Sequence, residues 1–82
     1  MNNAQKPQKE EVIREFPPLG FRYRVRVLAN PKSKQKTLDI REYVSSETGF
    51  EGFTRRGIRL SDRAELDLLR DILKEILEQS IV

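Results

Sequence analysis

The chain contains no cysteine and no histidine. Without cysteine there is no disulfide staple and no thiolate metal ligand, a composition suited to a reducing intracellular setting. Without histidine as well, neither a Ser/His nor a Cys/His nucleophilic pair can be assembled, and the usual zinc ligands are missing. Gly-rich phosphate-binding loops are also absent. A carboxylate dyad finds no support, because Asp39 and Glu42 fall on opposite faces of one expected strand. These gaps argue against an enzyme and leave no expected metal or cofactor. No apolar run approaches the roughly 20 residues that span a bilayer, and the opening MNNAQKPQKEEVIREF lacks the basic-then-apolar pattern of a secretion signal. The expected location is intracellular: cytoplasm or nucleoid for a prokaryotic or phage protein, nucleus for a eukaryotic one.

What is present is a chain of 82 residues, 37% apolar and 35% charged, with a net charge of +3. That composition belongs to one small soluble globular domain. The charge is unevenly placed. Residues 62–82 carry three basic and six acidic side chains, whereas residues 20–61 carry ten basic and four acidic ones. A basic middle with an acidic C-terminal segment points to a polyanionic partner on one side of the molecule.

Residues 1–18 are polar and proline-marked and read as a flexible tail, with FPPLG at 16–20 as punctuation. The folded domain is expected over 19–82. FRYRVRVL at 21–28 alternates without a fault: Phe21, Tyr23, Val25 and Val27 on one face, Arg22, Arg24 and Arg26 on the other. Such alternation of aromatic and β-branched residues predicts a strand. ANPKSKQK follows as a turn-initiating, lysine-rich loop. TLDIREYV at 37–44 is the second strand, with Ile40 inward. Asp39 reads as structural, pairing with a neighbouring strand or a turn amide, and Glu42 reads as structural on the inner side. After the turn SSETG come two shorter strands, FEGF at 50–53 and one near RGIRL, each weakened by a glycine.

Ser61 is the expected N-cap of a closing helix, with Asp62 in its first turn. Leu66, Leu68, Leu69, Ile72, Leu73, Ile76 and Leu77 fall within an arc of roughly 180° at 100° per residue. Covering one sheet needs a stripe of only about 100°, and a folded part this small is marginal without a partner. Leu66, Leu69, Ile72, Leu73, Ile76 and Leu77 are therefore the expected contact of a homodimer.

Three stretches supply cations: Arg22, Arg24 and Arg26; Lys32, Lys34 and Lys36 with Arg41; and Arg55 with Arg56. Tyr43, Phe50 and Phe53 lie near them in sequence. Cations beside rings on a sheet make a platform for single-stranded nucleic acid, because ring–base stacking contributes about 1–3 kcal/mol per base whatever the sequence. The competing readings are a solvated face that blocks edge pairing and rings that belong to the core.

LDIREYV at 38–44, RRGIRLS at 55–61 and the amphipathic C-terminal helix together resemble the C-terminal domain of the transcriptional positive cofactor four family. The likeness spans residues 37–82. It implies an α+β fold: a curved four-stranded antiparallel sheet, a C-terminal helix, and a homodimer that binds single-stranded or unwound DNA with little sequence preference. Eukaryotic relatives are transcriptional coactivators that meet the transcription machinery; others are general nucleic-acid binders. By position, Arg41 matches the family's phosphate-contacting arginine and Arg56 a basic residue before the Gly-Ile pair, with Arg55 its neighbour. Lys32, Lys34 and Lys36 match loosely. Val44 stands where the family has a stacking aromatic, which Phe50 or Phe53 would have to replace. Gly52 or Phe53 stands where the family's third strand has a basic residue, and the Ser/Lys-rich regulatory arm is missing. The expectation is a non-enzymatic, homodimeric single-stranded DNA-binding protein acting in transcription or in replication and repair. RNA binding by the same sheet, and a protein-interaction module whose arginines serve solubility, are the alternatives.

Overall fold

Hydrophobic alternation, three register shifts and one long amphipathic segment determine the architecture. The computed structural model describes residues 10–47 and 49–82. Residues 1–9 of the expected tail and Thr48 of the expected turn lie outside the described residues. Strands β1 (Glu11–Leu19), β2 (Tyr23–Ala29), β3 (Lys36–Ser45) and β4 (Glu51–Leu60) form one antiparallel sheet in the order β1-β2-β3-β4, and helix α1 (Arg63–Glu78) follows. The α+β class and the count of four strands agree with the expectation. β2 and β3 fall where strands are expected at 21–28 and 37–44; the other two strands differ.

Two corrections account for the difference. Residues 11–18, read as tail, belong to β1, an edge strand exposed along its whole length. Pro17 and Pro18 are compatible with that edge, where an amide missing from the ladder costs nothing. The two short strands expected at 50–53 and near 56–60 are instead one continuous β4. Gly52 and Gly57, read as weak points, take φ of +156° and +151°, and the β3–β4 register slips between Arg41 and Tyr43. Three residues of β4, 54–56, oppose the single Glu42 of β3 there; such a bulge bends a strand without ending it. Gly57 has a further constraint: a Cβ there would lie 2.2 Å from the Ile40 carbonyl oxygen and 2.9 Å from Arg41 Cα. Only glycine fits at that approach.

Directly paired residues share a face, so the register sorts every side chain. Phe16, Val25, Ile40 and Ile58 make one apolar row across all four strands. Glu15, Arg26, Asp39 and Arg59 make the corresponding row on the opposite face, alternating acid and base. The strand expected from residue 21 begins at Tyr23. Phe21 and Arg22 instead sit in the turn after Gly20, whose φ is +68°.

Asp62, rather than Ser61, caps α1, its carboxylate accepting from the Ala64 amide at 2.9 Å. The Ser61 hydroxyl is 2.7 Å from the Thr37 hydroxyl and ties the helix entry to β3. Sixteen residues at 1.5 Å rise make a helix about 24 Å long. It leans on the apolar face beside β4, leaving a groove of about 330 Å³ bounded by Ile40, Ile58, Leu60, Leu68, Leu69 and Ile72. No helix residue is buried. Among the described apolar residues only Leu28 and Ala29 are. No helix among the described residues is long and apolar enough to cross a membrane.

Candidate nucleic-acid interface

The polar face of the sheet is organised around one carboxylate. Asp39 has no solvent exposure. Its Oδ1 accepts from Arg41 Nη2 at 2.9 Å, Arg41 Nε at 3.2 Å and Arg59 Nε at 3.1 Å, while Oδ2 accepts from Arg26 Nη2 at 3.0 Å. Three guanidiniums from three strands thus share one anion. Burial alone would raise the Asp39 carboxyl, but the hydrogen bonds from Arg41 and Arg26, with Arg59 behind them, hold it below its ordinary 3.8. Asp39 is structural, as expected, but its partners are arginine side chains rather than a turn amide.

Arg59 reaches back across the sheet as well, donating to both Glu10 oxygens at 2.9 and 3.1 Å. Glu10 thereby lies over the polar face. Glu15, next in register to Arg26, lies 4.0 Å from Arg24. Acids at the start of the sheet therefore balance part of the arginine charge.

The rings complete this face. Tyr43 and Phe53 are register partners with centroids 4.9 Å apart in an edge-on arrangement. Arg24 lies 4.0 Å over the Tyr43 ring and Arg26 lies 3.9 Å over Phe53. Both are within the range of a cation–π contact. Register places Arg24 directly opposite Arg41, where like charges repel. The pair is accommodated because Arg24 turns to Tyr43 and Arg41 to Asp39 and the Arg55 carbonyl, the latter at 2.7 Å. The Tyr43 hydroxyl donates to Glu51 at 2.7 Å, and that bond moves its ionisation upward.

The predicted cations divide into three groups. Arg24, Arg26 and Arg41 share the face, but Arg26 and Arg41 are only 15% and 16% exposed and are committed to Asp39. Arg22 and Arg56 lie at the same end of the sheet but approach Glu42, at 3.9 and 4.0 Å. Glu42 pairs with Tyr23 and alternates away from Arg41, and Arg22 also borders the cleft that Arg24 and Tyr43 line. Arg22 lies in the turn before β2, with its carbonyl accepting from the Tyr43 amide at 2.7 Å. Glu42 is buried on the inner side, as expected, accepting from the Thr54 hydroxyl at 2.9 Å. Lys32, Lys34 and Lys36 are exposed, in or beside a turn closed by Asn30, whose side chain accepts from the amides of Lys32 and Ser33. That turn is towards the opposite end of the sheet from Tyr43 and Phe53: Lys36 is seven residues from Tyr43 along β3, about 23 Å. The lysines continue the basic surface lengthwise instead of joining the cluster.

At the Tyr43 end lies an open cleft of about 580 Å³ bounded by Phe21, Arg22, Arg24, Tyr43 and Glu51, with Val44 and Ser45. Phe21 is fully exposed at its lip. This ring was assigned to the inner face by extending the alternation two residues too far; Gly20 immediately before it is the signal of a turn. Arg59, Glu10 and Glu15 were not legible as site residues, since their roles depend on register. Among the described residues no group of His, Cys, Asp or Glu is arranged to hold a metal ion. No protein-family model, curated protein or solved structure matches this chain.

Proposed function

We propose that this chain is a non-enzymatic, homodimeric binder of single-stranded nucleic acid, DNA in the first place, acting in transcription or in replication and repair. The observation that carries the reading is the pairing of Arg24 opposite Arg41 and Tyr43 opposite Phe53 on one sheet face, beside a ring-edged cleft where Arg22 and Arg24 meet Glu42 and Glu51. Rings and cations on a rigid sheet suit a flexible polyanion whose bases are unpaired. The resemblance of LDIREYV and RRGIRLS to the positive cofactor four family supports the same reading.

Division of labour follows from exposure. Arg26 and Arg41, clamped by Asp39, hold the face together and set its positive potential. Arg24, Arg22, Arg55 and Arg56 are the accessible cations at the ring end, and Lys32, Lys34 and Lys36 extend the track. Phosphate neutralisation supplies most of the affinity, so log K falls with log salt at about −0.7 per phosphate contacted.

The dimer rests on the unfilled core. Leu68, Ile72, Leu73 and Leu77 are exposed on the helix, and Ile58 is exposed beside it. One chain carries both the apolar groove and the apolar ridge, so a two-fold contact with a second copy buries both at once. Such a contact provides the burial that a domain of this size lacks alone.

The test is filter binding of a short oligo(dT) to wild type, Arg24→Ala and Arg55→Ala across a salt series. Both variants should weaken binding to every sequence alike and lower the salt slope by about 0.7. Hairpin RNA and duplex DNA as competitors rank the nucleic-acid classes. Wild-type protein that retains no oligonucleotide at low salt removes the reading.

A further inference from the structure

Building on the function proposed above, we infer that Phe21 is a stacking platform for one nucleobase, with Arg22 and Arg24 taking the adjoining phosphates. Phe21 has a relative exposure of 103%, as open as a side chain can be. It is not on a loose segment: the turn around it is closed by the pairing of Leu19 with Tyr23 and shaped by Gly20 at φ +68°. The Arg22 carbonyl accepts from the Tyr43 amide at 2.7 Å, which ties the turn to β3. A bare ring is thus held in place at the lip of the cleft.

The other rings here are already engaged. Tyr43 carries Arg24 over its face and gives its hydroxyl to Glu51. Phe53 carries Arg26 and meets Tyr43 edge-on. Of the two rings that border the cleft, Tyr43 is engaged and Phe21 has no ring or cation contact among the described residues. The cleft volume of about 580 Å³ falls in the range of sites for small organic ligands. Its chemistry suits a nucleotide: an apolar ring for the base, the 71%-exposed Arg22 and Arg24 for the phosphates, and the Glu51 carboxylate as acceptor for an N–H on the base edge. An unpaired base stacked on Phe21 would also cover apolar surface that water now wets.

The test exploits the absence of tryptophan from the chain. In Phe21→Trp, emission reports on position 21 alone. Titration with oligo(dT) should quench that emission with the midpoint found by anisotropy of labelled oligo(dT). An abasic sugar-phosphate oligomer of equal length should bind without quenching. Phe21→Ala should lose roughly 5- to 150-fold in affinity while keeping the salt slope and the melting temperature. Saturable anisotropy with unchanged emission, or Phe21→Ala binding like wild type, overturns the stacking role and leaves the proposed function standing. No anisotropy change with wild type overturns both. A fall in the mass of Phe21→Ala without nucleic acid places the ring in the contact between copies, and that too overturns the inference.

Discussion

Asp39→Asn should be among the most damaging conservative changes on the sheet. The carboxylate is fully buried and accepts four hydrogen bonds from Arg26, Arg41 and Arg59. Asparagine offers one acceptor oxygen and turns an amino group towards guanidiniums that have nothing to accept with. Arg26 and Arg41 are almost enclosed and would be left as cations without a counter-ion. Removing one partner of a buried ion pair costs about 3–5 kcal/mol. Arg59 is nearly half exposed and keeps Glu10, which argues for the lower end, near 3 kcal/mol. At about 4–8 °C per kcal/mol for a domain of this size, the melting temperature should fall by at least about 12 °C. The assay is a circular-dichroism melt at pH 7 and one fixed protein concentration, since the proposed dimer would make the midpoint concentration-dependent. A loss below about 1 kcal/mol would refute the claim that this carboxylate organises the face.

pH supplies an independent reading of the same group. The folded-state ionisation of Asp39 lies below the ordinary 3.8. Its contribution is therefore complete above that pH and is lost as pH falls through the folded-state value. The gap in melting temperature between wild type and Asp39→Asn should hold between pH 7 and 5 and close below pH 3.8; a gap that is constant to pH 2 contradicts the assignment. Gly57→Ala should cost more than Gly52→Ala in the same melts, because its Cβ meets backbone at 2.2 Å whereas at Gly52 the nearest atom is the Phe50 ring at 3.6 Å. Equal losses would mean the bulge is freely rebuilt. Ile72→Glu places a charge in the apolar contact and should convert a species of twice 9.6 kDa to one of 9.6 kDa by sedimentation; wild type sedimenting as a monomer rejects the dimer.

How much of this was legible depended on whether a feature is local. The alternation in FRYRVRVL and LDIREYV gave β2 and β3, because one apolar and one polar face leave a period of two in the residues themselves. β1 left no such mark. EVIREFPPL is exposed on both sides, so its apolar and charged residues follow no burial pattern, and its prolines imitate a linker. Gly52 and Gly57 look like breaks when only propensity is weighed, but the bulge that needs them is a property of pairing with β3. Ser61 and Asp62 are both good caps, and the helix entry, with Ser61 beside Thr37, selected the second. Asp39 reads as structural from the sequence, but the arginines that share it do not, since register joins them across as many as twenty residues.

The central claim is that the arginine–aromatic face binds single-stranded nucleic acid through charge and stacking. Fluorescence anisotropy of a labelled oligo(dT) at two salt concentrations tests it most directly. The account predicts saturable binding that weakens on raising the salt, with unlabelled single strand competing better than duplex of equal length. No anisotropy change at low salt, or affinity indifferent to salt, would contradict it.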